Sequence, residues 1–400
     1  MSLEGDHIFL TRVYGTDGNK QEGQFSLIHI PLPLYSALIQ PILRVLLPNG
    51  GPTNQREPEG LLEGLSDDNK HGFLNISITP IECSIVCHTS WARNVFEPVI
   101  SHLPAESRSQ VQISRETYIV FAVQTTGMEA GQRVMDLTAP LALAGIPIFF
   151  ITTYYQDFIL VPSKDRPQVG KALLERGFEF SESDSAYVVP TPVSHSRIPS
   201  TVSDAGPPGT PPPSNVAELQ AKTFAQLKKR NVVPFFEPGL HLVQCSGKVA
   251  ESDYSPYSGH TNGHSTPSYL DTINQKFYLG LISALIQQPR FLSLTLAQDD
   301  TPSLLIDRSL LWLFGDSLIG DMEGDLVPIF LDLVDLPLES TGIVCGVAGK
   351  LVDEMRFGGS EEQLSYLSTV RAGAVVLSRE GSARALEALL PLLDKGTSKG

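Results

Sequence analysis

The chain repeats itself, and this limits the folds open to it. Ser36-Ala-Leu-Ile-Gln40 returns letter for letter as Ser283-Ala-Leu-Ile-Gln287, and Phe73-Leu-Asn-Ile-Ser-Ile78 returns as Phe291-Leu-Ser-Leu-Thr-Leu296. Ile151-Thr-Thr153 followed by Phe158-Ile-Leu-Val161 matches Leu367-Ser-Thr369 followed by Ala374-Val-Val-Leu377. Gly131 and Gly342 each open a helical run ahead of those strands. The landmarks keep one order, so the sequence reads as two duplicated halves.

Within a half, strand and helix patterns alternate. Thr117 to Val123 is rich in β-branched and aromatic residues and predicts a strand. Gly131 to Ala144 predicts a helix with Val134, Leu137 and Leu141 on one face and Pro140 as a kink. Ile148 to Ile151 and Phe158 to Val161 predict two strands joined by a tight turn, Gln168 to Glu175 a closing helix, and Phe178 the start of a last short strand. That order, β-α-β-β-α-β, is the ferredoxin-like pattern. Val327 to Val334, Gly342 to Asp353, Leu364 to Leu367, Ala374 to Leu377 and Ser382 to Leu393 repeat most of it.

The fold class expected is therefore α+β, with tandem ferredoxin-like units in two duplicated halves. The units fall at residues 1–110, 111–180, 234–325 and 326–400. Between the halves lies a linker, 181–233, whose core Ser181 to Ser214 carries Gly206-Pro-Pro-Gly-Thr-Pro-Pro-Pro213 and few large apolar residues, too few to offset the entropy of ordering. Asn215 and Glu218 have capping-box spacing and predict a short helix at 215–230 inside it. A second low-complexity stretch, Gly247 to Pro267, interrupts the third unit. Thr191-Pro192 and Thr210-Pro211 are candidate sites for proline-directed phosphorylation.

A formal net charge of -15 argues against nucleic acid or an anionic membrane as the main partner. The N-terminus lacks a basic n-region and an apolar h-region, and the uncharged stretch from Leu137 to Gln156 is broken by Pro140, Gly145 and Pro147, so a helix, a turn and a strand are expected there rather than a membrane span. Cys83, Cys87, Cys245 and Cys345 are scattered in apolar runs, as buried thiols of a reducing compartment are, which points to the cytosol. The Cys83/Cys87 and His260/His264 spacings match no further ligands, and no metal or cofactor is expected. There is no P-loop, dinucleotide Gly-x-Gly-x-x-Gly or His-Glu-x-x-His, and Gly315-Asp-Ser-Leu-Ile-Gly320 misses nucleophile-elbow spacing. A non-enzyme is expected, without catalytic residues.

Three segments resemble the ACT-domain arginine sensors called CASTOR proteins. Thr152-Thr-Tyr-Tyr-Gln-Asp-Phe-Ile-Leu-Val161 looks like a segment of that family and of the ACT modules of aspartate kinases. Gly342-Ile-Val-Cys-Gly-Val-Ala-Gly-Lys-Leu351 is similar to the family's glycine-rich helix in the fourth unit, and Phe291-Leu-Ser-Leu-Thr295 to the strand after the first helix of an odd-numbered unit. The resemblance implies an amino-acid ligand held between the second and fourth units. The residues it points to are Glu339, Ser340, Thr341, Gly342, Ile343, Val344, Thr369, Val370 and Gly373, facing Pro147 and Ile148. A strand-to-helix turn there leaves the first helical N–H groups unpaired, suited to an α-carboxylate.

The sequence also departs from the family. Ser368-Thr-Val-Arg-Ala-Gly373 has Gly373 where the family has an acidic residue, and Arg371 adds a positive charge nearby. Ser340 and Thr341 replace a Glu-Cys pair, and Pro147-Ile148 a Ser-Val pair. The ligand is thus arginine or a smaller neutral amino acid. The resemblance implies a regulator binding a protein partner in a nutrient-signalling complex of the TOR pathway, with a homodimer as one assembly. Two alternatives stay open: an interaction protein whose pocket has decayed, and a regulatory subunit in amino-acid metabolism.

Overall fold

The computed structural model describes residues 8–12, 23–46, 72–125, 130–180, 213–248, 274–297, 300–358 and 363–393. The stretch 181–212 of the expected linker and 249–273, which holds His260 and His264, lie outside the described residues, as do Thr191 and Thr210.

The strands of the first half are β1 (Ile8–Arg12), β2 (Phe25–Pro31), β3 (Phe73–Ile78), β4 (Glu82–His88), β5 (Gln112–Ile113), β6 (Tyr118–Thr125), β7 (Phe149–Thr152), β8 (Asp157–Pro162) and β9 (Glu179–Phe180). Those of the second half are β10 (Leu242–Gly247), β11 (Leu292–Ala297), β12 (Ser303–Asp307), β13 (Leu318–Gly320), β14 (Leu326–Asp332), β15 (Ser365–Ser368) and β16 (Ala372–Ser378). The main helices are α1 (Ile39–Leu46), α2 (Ala130–Leu143), α3 (Arg166–Leu174), α4 (Val216–Lys229), α5 (Gln275–Ile286), α6 (Ile343–Gly358) and α7 (Arg379–Leu393).

The arrangement of these elements corrects the expected fold class. They do not form tandem ferredoxin-like α+β units with sheets of their own. Twelve strands run β2-β4-β3-β11-β12-β10-β14-β16-β15-β7-β8-β6, and β6 returns to β2 through Phe25↔Tyr118, closing an antiparallel barrel. The physical reason is edge pairing. A separate four-stranded sheet exposes unpaired N–H and C=O groups along two edges, and closure removes them. Here β3 is zipped to β11 over six residue pairs, from Leu292↔Ile78 to Ala297↔Phe73. The other joins are slight: Leu242↔Leu326 between β10 and β14, and Leu367↔Ile151 between β15 and β7. The last strand expected in the second unit shrinks to β9, which pairs in parallel with β1 off the ring.

Ring closure explains why the strands read as unbroken apolar runs. On β8, Phe158 and Leu160 point to the barrel interior with Phe25, Phe73, Phe291 and Phe330, while Ile159 and Val161 point outward under helices. Both faces are buried, so both positions of the period-2 pattern are apolar. Outside, α2, α3, α4, α6 and α7 cover one side through Val134, Val169, Leu227, Val347 and Leu389. On the other side α1 and α5 bury Ile42, Leu281 and Leu285 against Cys83, Ile85 and Cys87 of β4.

α4 belongs to the packed structure. Asn215 Oδ1 accepts the Glu218 N–H at 2.9 Å, and the Glu218 carboxylate accepts the Ser214 N–H at 2.9 Å, which fixes the helix start. Leu219, Thr223 and Leu227 are buried against its neighbours.

Candidate functional site

One of the single-pair joins of the ring is where the chain builds a cavity. β7 and β15 pair only at Leu367↔Ile151, and side-chain hydroxyls replace the missing ladder bonds. Ser368 Oγ accepts the Phe150 N–H at 3.0 Å, and Thr152 Oγ1 accepts the Tyr366 N–H at 3.0 Å. Beside this join a cavity of about 50 Å³ lies between the C-terminal part of α2, the start of α6 and the β15–β16 turn. That volume holds a few water molecules.

α6 starts at Gly342, whose φ of 81° is left-handed, a conformation glycine adopts without steric cost. Its first backbone bond within the helix is Gly346 N–H to Gly342 O at 2.7 Å. The N–H groups of Ile343, Val344 and Cys345 precede it and carry the positive end of the helix dipole. The glycines here also let α4 sit close. A Cβ at Gly342 would stand 2.9 Å from Leu219 Cδ1, and one at Gly346 would stand 2.8 Å from Thr223 Cγ2. Thr223 Oγ1 donates to Gly342 O at 3.3 Å, and Gln226 Nε2 donates to Ser340 Oγ at 3.2 Å. α4 thus holds the turn that opens α6.

Two buried hydroxyls line the cavity without a conventional partner, Tyr366 Oη and Thr138 Oγ1. Tyr366 is 1% exposed, and burial pushes its phenol well above the usual tyrosine range, so it stays a neutral donor. Thr138 faces the Cys345 thiol, which burial pushes up to about 11 while Thr138 pulls it back. At neutral pH Cys345 is a thiol, unsuited to act as a nucleophile. Among the described residues no Asp, Glu, Lys or Arg lines the cavity.

Of the residues marked out by sequence, Ile148, Ser340, Gly342, Ile343, Val344, Thr369, Val370 and Gly373 are brought together on the cavity wall. Pro147 and Thr341 are their chain neighbours and do not line it, and Glu339 is exposed to solvent. Gly373 has a specific neighbour: a Cβ there would meet Tyr366 Oη at 2.9 Å. The phenol occupies the space a side chain at 373 needs. Tyr366, Thr138 and the α4 residues Thr223 and Gln226 were not singled out by the sequence. The available signal was a glycine on one strand diagonal to an aromatic on the next, since Ser368↔Gly373 and Tyr366↔Val375 share a face.

The floor of the cavity is tied to the other side of the barrel. Thr369 Oγ1 donates to Glu82 Oε1 at 2.6 Å, the Arg371 N–H donates to the same oxygen, and His29 Nδ1 lies 2.5 Å from Glu82 Oε2. The Arg371 guanidinium donates to the Leu336 carbonyl at 3.1 Å and to Gln112. Arg371 itself does not line the cavity, and its guanidinium is engaged at the cavity's edge by the Leu336 carbonyl.

Among the described residues no group of three or more His, Cys, Asp or Glu side chains is placed to hold a metal, and no helix is long and apolar enough to cross a membrane. The four cysteines are free and buried.

The ACT-domain family profile matches residues 113–175, the stretch that carries β6, α2, β7 and β8. An ACT domain is thus present and supplies one wall of the cavity. No curated protein matches the chain. Among solved structures, a protein from Agobacterium tumefaciens aligns at 18% identity and a TM-score of 0.27, over 44% of this chain and 92% of its own. Aspartate kinase from Synechocystis aligns at 12% identity and a TM-score of 0.28, over 97% of this chain and 56% of the kinase. Both scores are too low to show a shared fold.

Proposed function

We propose that the chain is a regulatory amino-acid-binding protein whose ligand, a small neutral amino acid, occupies the cavity between α2, α6 and the β15–β16 turn. The observation that carries this is the Tyr366 hydroxyl, buried, without a partner, and lining a cavity that also receives a helix start. An unmade hydrogen bond at such a group costs about 1–3 kcal/mol, which a bound polar group would recover. The ligand carboxylate is assigned to the N–H groups of Ile343, Val344 and Cys345, with Tyr366 as a further donor.

Arginine is disfavoured. The cavity offers about 50 Å³ and, among the described residues, no carboxylate to pair with a buried guanidinium. The ACT domain in residues 113–175 supports a regulatory role over catalysis. So does the neutral state of Cys345. The link from Thr369 to Glu82 suggests how occupancy reaches the far side of the barrel and alters the surface a protein partner meets, by differential affinity for two states. A partner in TOR-type nutrient signalling, in the cytosol, follows from the CASTOR resemblance.

Thermal-shift screening against the twenty amino acids, then calorimetry on any hit, tests the reading. Stabilisation by glycine, alanine or serine, weakened by Tyr366→Phe, is the expected result. The small volume also favours a second reading, an interaction protein whose cavity no longer takes a ligand. No stabilisation at millimolar concentration would decide for it.

A further inference from the structure

The ring repeats its strand order after six strands. The run β2-β4-β3-β11-β12-β10 is followed by β14-β16-β15-β7-β8-β6, so a half-turn carries the β15–β7 join onto the β3–β11 join. The details correspond. Thr369 N–H bonds Ala372 O at 2.8 Å, and Thr79 N–H bonds Glu82 O at 2.9 Å in the matching turn. Pro147-Ile148 precedes Phe149 as Pro289-Arg290 precedes Phe291. The matching place also holds a cavity, of about 340 Å³.

The chemistry of the two cavities differs. The second is walled by Leu32, Tyr35 and Ile78, and Glu237 and Arg290 bring charge to it. Arg290 is already engaged, with Asp307 at 3.0 Å, the Gly239 carbonyl at 3.1 Å and the Pro238 carbonyl at 3.3 Å. The Tyr35 hydroxyl is taken by the Leu285 carbonyl at 2.8 Å. The half-buried Glu237 carboxylate has no partner among the described residues. An uncompensated negative charge therefore stands beside an apolar wall, an arrangement that selects a cation with an apolar body.

We propose that this second cavity, at the β3–β11 join, binds a small organic ammonium ion, its nitrogen paired with Glu237 and its apolar part against Leu32 and Ile78. An amino acid and a simple amine both carry that group, and the site is independent of the cavity beside Tyr366.

The test uses the full chain and two probes of equal apolar size, L-leucine and its decarboxylated amine, 3-methylbutylamine, titrated by calorimetry and ligand-observed NMR. Binding of at least one probe is expected, weakened tenfold or more by Glu237→Gln and unchanged by Tyr366→Phe. Binding of both probes assigns recognition to the ammonium group, and binding of leucine alone adds a contact to its carboxylate; either supports the site. Circular dichroism of the Glu237→Gln protein checks that it stays folded. Binding of neither probe overturns the proposal, as does binding indifferent to Glu237→Gln. Loss with Tyr366→Phe instead would move the probe to the first cavity. A negative result leaves the small-amino-acid screen on that first cavity standing, so the two readings fail separately.

Discussion

Thr369, on the floor of the first cavity, donates its hydroxyl to Glu82 at 2.6 Å, although 287 positions separate the two residues. Glu82 is fully buried, and its two oxygens also serve the Arg371 N–H and His29. The cavity floor is therefore held from the opposite wall of the barrel, through a carboxylate whose acceptor sites have specific donors.

Glu82→Ala removes the acceptor of the Arg371 N–H and of His29, and leaves the Thr369 hydroxyl only the Ala372 carbonyl at 3.2 Å. A loss of about 3–5 kcal/mol in urea unfolding is expected, the range for breaking a buried charged network. Glu82→Gln keeps one oxygen acceptor and costs less. A loss within 0.5 kcal/mol for the alanine variant, the scale of a plain surface substitution at about that size, would show that the contact carries no weight.

Tyr366 and Gly373 make a second pair with opposite signs. Tyr366→Phe deletes an unpaired buried hydroxyl and stabilises the ligand-free chain by about 1–2 kcal/mol. Gly373→Ala drives a Cβ to within 2.9 Å of that hydroxyl and destabilises by about 1–3 kcal/mol. In the double variant the clash is gone, so the two effects do not add, and a double-mutant cycle by chemical denaturation reads the coupling. Strict additivity would contradict the contact.

Much of the local structure was legible in the sequence, because period and capping are local. The strand expected at Thr117 to Val123 is β6, Tyr118–Thr125, and the helix expected from Gly131 to Ala144 is α2, Ala130–Leu143, with Pro140 inside it. The Asn215 cap was legible for the same reason. The closed barrel was not. It depends on joins such as Leu367↔Ile151, a single pair between strands more than 200 residues apart, which leaves no mark on either strand's own pattern. The cavity wall at Ile148, Ser340 and Gly342 through Val344 came from a family likeness. Tyr366 stayed hidden, since a strand tyrosine reads as core, and so did the hold of α4 on the cavity turn through Thr223 and Gln226, although the helix itself was legible.

The α4–α6 contact gives a packing prediction. Gly346 has ordinary helical geometry, so Gly346→Ala would help an isolated helix. Here its Cβ would meet Thr223 Cγ2 at 2.8 Å, so a loss of about 1–3 kcal/mol is expected, with part of it recovered by Thr223→Ala. Thermal unfolding of the three variants measures this. A more stable single variant would mean that α4 yields without resistance.

Acid should loosen α4 from its N-terminus. The Glu218 carboxyl lies at about 2, below its ordinary 4.5, first because the Ser214 N–H donates to it and then because Lys222 and the Ser214 hydroxyl do. A carboxyl lowered on folding contributes its stability above the unfolded value, and that contribution is lost as protons bind. The cap is therefore complete at neutral pH and fails as pH falls from about 4.5 toward 2. Glu218 is exposed, so the effect is local fraying rather than global unfolding. Because Thr223 and Gln226 hold Gly342 and Ser340, fraying reaches the cavity turn. Amide exchange at Glu218 and Leu219 should accelerate over that window, relative to exchange in the β3–β11 ladder, and Glu218→Gln should show the faster exchange already at neutral pH. Equal protection of the variant and the wild-type chain at neutral pH would remove the carboxylate from the cap.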